Sequence, residues 1–129
     1  MPKVMIVDDE PSIRLLYREE FEDEGYQVTE SPDGYRLIEK IDREKPDVVI
    51  LDIKMADYNG LDLLQEVRKA FRDLPVIISS AYGVFKGDYK TMAADYYVVK
   101  SSDLSELKEK VKKVLESRRA SSAGAREGS

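Results

Sequence analysis

Three aspartates follow two short hydrophobic runs and could bind a metal ion together. Asp8 and Asp9 come directly after residues 3–7, and Asp52 comes directly after residues 48–51. Both runs are too short for helices and rich in β-branched residues, which predicts strands buried on both faces of a parallel sheet. The carboxyl ends of such strands meet at the ligand-binding edge of an open α/β sheet. Because three carboxylates in one cleft repel each other unless a cation neutralises them, the pattern predicts a metal site. Oxygen ligands in a chain without histidine favour Mg²⁺.

Two further polar side chains are predicted at the same edge. Ser80 ends the run that begins at residue 76, and Lys100 follows the run 96–99. A metal ion, a lysine and a hydroxyl group are what phosphoryl transfer requires, since that reaction depends on positioning and charge neutralisation. Asp52 is the candidate nucleophile, because carboxylates can form acyl phosphates.

Each of these residues also has an ordinary structural explanation. Aspartates such as Asp8 and Asp9 commonly cap a helix that follows a strand. A lone lysine is usually solvated, and a lone serine usually lies in a turn. Independent capping does not predict that five such residues converge, so a shared site is the favoured interpretation.

Composition indicates one globular domain. The chain has 129 residues, 42% of them hydrophobic and 36% charged, and carries a net charge of -5. This acidic balance argues against nucleic acid as a direct partner. The absence of cysteine is compatible with a reducing compartment. The first apolar run is too short for a signal peptide or a membrane span, so we expect a cytoplasmic protein without membrane contact.

Strand and helix patterns alternate along the chain and predict an α/β fold, a doubly wound parallel sheet of five strands with five helices. The second helix is expected from Ser31-Pro32, with Tyr35 turned inward. The fourth helix, within residues 81–94, has weak helix propensity and is expected to be short or irregular. Ser102 or Asp103 is expected to cap the last helix. The domain is predicted to span residues 1–117, and residues 118–129 to form a disordered tail of a composition also typical of vector-derived residues.

Four segments together resemble the receiver domain of two-component response regulators. They are 4–11 (VMIVDDEP), 47–52 (DVVILD), 75–81 (PVIISSA) and 97–100 (YVVK). The match covers roughly residues 2 to 117, and four correctly spaced blocks are a specific signal. The resemblance implies the flavodoxin-like strand order 2-1-3-4-5 that is known for the chemotaxis regulator.

The resemblance also implies roles for individual residues. Asp52 would be the phosphoacceptor, and Mg²⁺ would be held by Asp8 (largely through water), Asp9, Asp52 and the main-chain carbonyl of Lys54. Lys100 would pair with the phosphoryl oxygens, and Ser80 and Tyr97 would form a switch, although Tyr97 is equally compatible with plain packing. The implied partners are a sensor histidine kinase or phosphotransfer protein and a downstream protein target. A weak dimer through the face formed by the fourth helix, fifth strand and fifth helix is also possible in this family.

Three positions depart from the family pattern. Ser101 replaces the proline that usually follows the lysine through a cis peptide, so a trans bond is expected here. The segment 55–60 lacks the usual proline, and the stretch between Ser80 and Lys100 is slightly short. The resemblance also implies that Lys54 and Tyr82 border the path by which water would reach the phosphoryl group, and the bulk of these two side chains predicts slow autodephosphorylation.

Two other function classes fit less well. A haloacid-dehalogenase-like phosphatase needs an Asp-x-Asp motif after its first strand, which neither Asp8-Asp9-Glu10 nor Asp52-Ile53-Lys54 provides. A flavodoxin-type electron carrier needs a glycine-rich phosphate loop where this chain has Glu10-Pro11. The sequence is compatible with a receiver that acts alone and with a fragment of a larger regulator.

Overall fold

The computed structural model describes residues 1–53, 59–81 and 93–127, with residues 118–127 described for the backbone alone. Five parallel strands form one sheet in the order β2-β1-β3-β4-β5, as expected. The strands are β1 (Lys3–Val7), β2 (Gln27–Ser31), β3 (Val48–Asp52), β4 (Val76–Ser80) and β5 (Tyr96–Val99). The helices in the described residues are α1 (Pro11–Asp23), α2 (Leu37–Glu44), α3 (Gly60–Ala70) and α4 (Ser105–Glu127).

The central strands have apolar side chains on both faces, which explains why they read as continuous hydrophobic runs. On one face, Met5, Val49 and Ile78 pack in a core with residues of α2 and α3. On the opposite face, Ile50 and Ile77 pack with residues of α1 and α4. Because successive strand residues alternate between faces, this assignment also fixes the side to which the polar residues at the strand ends project.

The start of the second helix differs from the prediction. Strand β2 continues to Ser31, and α2 begins at Leu37 rather than at Ser31-Pro32. Between them, the backbone N–H of Tyr35 donates to Asp33 Oδ1 at 2.9 Å, and Arg36 has a left-handed backbone with φ of 52°. A residue with a positive φ cannot lie inside a right-handed α-helix, so α2 begins only after Arg36. Tyr35 is therefore 60% exposed rather than turned inward.

The last helix begins as predicted and extends further than expected. The carboxylate of Asp103 accepts hydrogen bonds from the backbone N–H of Ser105 at 2.9 Å and from its hydroxyl. The backbone stays helical to Glu127, whereas a disordered tail was expected from residue 118. Adding residues to an existing helix costs much less free energy than starting one, and alanine, arginine and glutamate have high helix propensity. The predicted fourth helix lies almost entirely outside the described residues.

No helix in the described part of the chain is both long enough and apolar enough to cross a membrane.

Gly60 brings the start of α3 against the end of β3. Its N–H donates to the carbonyl of Ile53 at 2.8 Å. A β-carbon at this position would lie 2.4 Å from the carbonyl oxygen of Asp52 and 2.4 Å from the α-carbon of Ile53. Glycine is therefore required here by the close approach of two backbone segments, one of which carries the candidate nucleophile Asp52.

We expect Gly60→Ala to lower the free energy of unfolding by about 3 kcal/mol, because a methyl group would displace the backbone of residues 52 and 53. Urea unfolding curves measure the loss. Gly25→Ala is the comparison: Gly25 has a φ of +93° but no atom within 4 Å of an added β-carbon, so its loss should be nearer to 1 kcal/mol. A Gly60→Ala protein as stable as the wild type would contradict this account of the β3–α3 junction.

Candidate functional site

A partly buried lysine lies between two buried aspartates at the carboxyl edge of the sheet. Lys100 Nζ is 2.8 Å from Asp8 Oδ2 and 3.4 Å from Asp52 Oδ2. Asp8 is 2% exposed and Asp52 is 4% exposed. The structure thus brings together three of the residues that the sequence predicted at this edge.

The sheet order explains how the three residues meet. Asp8 follows β1, Asp52 ends β3 and Lys100 follows β5, so the lysine must reach past the end of β4. Three strand spacings separate β5 from β1, roughly 14 Å in all. The lysine side chain alone is shorter than this distance, so the side chain of Asp8 extends toward it from the other side of the site, beyond the end of β4, which carries Ser79 and Ser80.

Each polar group of Asp8, in the backbone and in the side chain, has a partner that fixes its position. Its N–H donates to the carbonyl of Ser31 at 3.1 Å, and its own carbonyl accepts from Arg14 Nη1 at 2.7 Å. Its Oδ1 accepts from the N–H of Glu10 at 2.9 Å, while Oδ2 contacts Lys100. Such complete pairing offsets the desolvation of a buried carboxylate.

A cluster of carboxylates beside this ion pair fits a divalent cation. Oxygens of Asp8, Asp9 and Glu10 lie within 4.8 Å of one another. Hard cations such as Mg²⁺ prefer oxygen ligands of this kind and retain several waters. Glu10 belongs to this cluster although it was not among the predicted ligands, whereas Asp52, a predicted ligand, is not part of it. Lys54, whose carbonyl was a predicted ligand, lies outside the described residues.

The electrostatics of Lys100 reflect its two partners. Burial alone would lower the pKa of the ammonium group, but its hydrogen bonds and charge interactions with Asp8 and Asp52 raise it above the usual 10.5. The lysine is therefore charged at neutral pH and balances part of the negative charge of the site.

The chain matches the family model described as response regulator receiver domain over residues 4–112. It belongs to this family. Sporulation initiation phosphotransferase F of Bacillus subtilis (strain 168) is 34% identical over 115 residues, covering 88% of this chain and 93% of that protein. The probable transcriptional regulator ycf27 of Guillardia theta is 40% identical over 116 residues, which cover 88% of this chain but 45% of that protein. The receiver thus spans less than half of some relatives and nearly all of another.

Solved structures agree with the sequence match. Response regulator TrrA from Thermotoga maritima, in complex with Mg²⁺–BeF, is 43% identical, with a TM-score of 0.86 over 89% of this chain and 100% of that one. TrrA in complex with the histidine kinase ThkA has a TM-score of 0.83 over 89% of this chain and 99% of that one.

The two predicted switch residues have different surroundings. Ser80 is fully buried, and its carbonyl accepts the N–H of Lys100 at 2.6 Å. Tyr97 is half-buried and packs against the core shared with α2 and α3. The peptide bond between Lys100 and Ser101 is trans, in agreement with the missing proline. Tyr82, predicted to limit water access, lies outside the described residues.

One buried polar contact beside the site was not predicted. The hydroxyl groups of Tyr17, on α1, and Ser79, on β4, lie 3.1 Å apart and are hydrogen-bonded. The helical spacing of Tyr17 indicates a core residue, which it is at 2% exposure. Its polar partner is 62 residues away in the sequence, so no local pattern could identify it.

We expect Lys100→Met to lower the free energy of unfolding at neutral pH by about 3 kcal/mol, because two buried carboxylates lose a cationic partner. The folded-state pKa of Lys100 lies above its usual 10.5. The stabilisation is therefore complete at pH values below 10.5 and is lost as pH rises through the higher folded-state pKa.

Urea unfolding of the wild type and of Lys100→Met, at pH values from neutral to above 10.5, measures the difference in the free energy of unfolding. Lys69→Met, at an exposed position on α3, controls for loss of a surface lysine and should change stability little. A deficit of Lys100→Met that stays constant above pH 10.5 would contradict the assignment of the stabilisation to the ammonium charge.

Proposed function

We propose that this receiver domain is a phosphoacceptor in a two-component or phosphorelay system. The observation that carries the proposal is the Lys100 ammonium held between the carboxylates of Asp8 and Asp52, beside the cluster formed with Asp9 and Glu10. This arrangement combines a nucleophile, a fixed cation and a set of metal ligands at one edge of the sheet. The match to receiver relatives supports it.

The site would hold Mg²⁺ through Asp8, Asp9 and Asp52, with the main-chain carbonyl of Lys54. The bound ion would neutralise phosphoryl oxygens and lower the repulsion between them and the carboxylates. Asp8 would act largely through water, which agrees with its two side-chain oxygens already accepting from Glu10 and Lys100. The complex of TrrA with Mg²⁺–BeF supports this choice of ion.

The residues of the chain would perform the transfer itself. A carboxylate oxygen of Asp52 attacks the phosphorus of a phosphohistidine, and a new oxygen–phosphorus bond forms as the nitrogen–phosphorus bond breaks. The electron pair of the broken bond returns to the imidazole nitrogen. Lys100, next to Asp52, pairs with the transferred oxygens and stabilises their charge. The receiver would in this way assist its own phosphorylation and, later, hydrolysis of the acyl phosphate.

The partner that supplies the phosphoryl group would be a sensor histidine kinase or a phosphotransfer protein, as the TrrA–ThkA complex suggests for a relative. Ser80 and Tyr97 would change position on phosphorylation and alter the binding of a downstream protein. A receiver can transmit phosphorylation in this way if its two conformations make different contacts with the phosphoryl group.

We expect Asp52→Asn to abolish phosphorylation by acetyl phosphate in the presence of Mg²⁺, because an amide is neither a competent nucleophile nor an anionic ligand. Radiolabel incorporation or the mass of the intact protein measures it. Asp42→Asn, at an exposed position on α2, is the matched control and should be labelled like the wild type. Full labelling of the Asp52→Asn protein would mean that the acceptor lies elsewhere.

Asp9→Asn should weaken Mg²⁺ binding by at least about tenfold, because it removes a charged ligand from the cluster. Lys100→Met should not weaken binding, since it removes a competing positive charge, but it should slow phosphorylation. Isothermal titration with Mg²⁺ alone separates the two effects. An equal loss of Mg²⁺ affinity in both variants would show that the lysine has been given the wrong role.

A further inference from the structure

The polar residues of the site share one face of the sheet with Ser79. In β4, Ile77 packs in the core on the side of α1 and α4, and Ser79 comes two residues later on the same face. By the same alternation, Asp52 follows Ile50 and Lys100 follows Val98 on that face. Ser79, rather than the predicted switch residue Ser80, is therefore on the side of the sheet where Lys100 meets the aspartates.

Ser79 also lies between the two strands that Lys100 connects. In the parallel register, Ser79 pairs with Asp52 of β3 on one side and with Val98 of β5 on the other. The side chain of Lys100 starts beyond β5 and ends at Asp52 and Asp8, so it must cross the end of β4 on this face.

Ser79 is hydrogen-bonded to Tyr17 on helix α1. The two hydroxyl groups are buried and hydrogen-bonded at 3.1 Å. The pKa of the Tyr17 hydroxyl is raised, mainly by burial, and it also responds to the charges of the site. The hydrogen bond with Ser79 and the charge of Lys100 lower this pKa, whereas the charges of Asp8 and Asp52 raise it. A phenol placed in an apolar core would not be affected by these charges unless it were near them.

We infer that Tyr17 and Ser79 are a positioning pair, whose hydrogen bond provides a fixed polar surface along which the Lys100 side chain is directed to Asp52 and Asp8. Lysine has a flexible stem with four rotatable bonds, and neither aspartate restricts the stem itself. A hydrogen-bonded pair on the face of the sheet that the stem crosses would restrict the stem on that side. The effect on phosphoryl transfer rests on the proposed function, whereas the effect on the position of Lys100 does not.

The test compares Tyr17→Phe, Ser79→Ala and the double variant with the wild type. Three quantities are measured: thermal stability, the nuclear magnetic resonance signal of the Lys100 Cε and Nζ atoms at neutral pH, and the rate of phosphorylation by acetyl phosphate at saturating Mg²⁺. Each single variant leaves one buried hydroxyl without its partner and should melt at lower temperature. The double variant removes both hydroxyl groups and should recover most of the lost stability.

A positioning role requires that the other two measurements do not recover. In all three variants we expect the Lys100 signal to shift or broaden and the rate to fall roughly tenfold, less than the hundredfold that a 1 Å misplacement can cause. Tyr26→Phe is the matched control, because Tyr26 packs on Phe21 in the same core but belongs to the turn after α1. It should leave the Lys100 signal and the rate unchanged.

Two results would overturn the inference. The first is an unchanged Lys100 signal and rate in both single variants, and the second is full recovery of both quantities in the double variant, which would assign the pair a purely structural role. If the wild-type protein accepts no phosphoryl group, the proposed function fails, but the Lys100 signal still decides whether Tyr17 and Ser79 position the lysine.

Discussion

The ion pair between Lys100 and the two buried aspartates is the interaction on which the rest of the site depends. Asp8 and Asp52 lie at the ends of β1 and β3, which are neighbours in the sheet, and neither is accessible to solvent that could screen their repulsion. One ammonium group within 3.4 Å of both carboxylates makes their burial tolerable. The strand order matters for this reason, since it places β5 where its lysine can reach across β4.

The balance of charge in the site follows from the same pair. Lys100 supplies one positive charge, whereas Asp8, Asp9, Glu10 and Asp52 supply up to four negative charges. The lysine thus allows the fold to form but leaves an excess of negative charge that favours a divalent cation. In the proposed reaction, a phosphoryl group on Asp52 would compete with Asp8 for the ammonium group. Such competition gives the two states of the receiver different contacts, which a conformational switch requires.

The fold and the main site residues could be predicted because their signals are local. Runs of β-branched residues predict buried strands, and the carboxyl ends of parallel strands must share an edge, so Asp52 and Lys100 were placed correctly. The start of α2 was not, because the turn made by Asp33 and Arg36 depends on side-chain hydrogen bonds and a positive φ that periodicity does not report. The Tyr17–Ser79 contact was missed because it joins distant segments, and Tyr17 alone is indistinguishable from a packing residue.

The polar contacts of Asp8 indicate which part of the site can move. Its N–H, carbonyl and both side-chain oxygens are engaged by β2, α1, the adjacent backbone and Lys100. Three of these four contacts are formed within the β1–α1 junction or to its neighbouring strand, so Asp8 would keep its position if Lys100 left. The lysine, by contrast, is held at its tip by charge and, in our inference, along its stem by Tyr17 and Ser79. A change of charge at Asp52 would therefore displace Lys100 before it displaced Asp8, and the constraint on the lysine stem would determine how far the ammonium group travels.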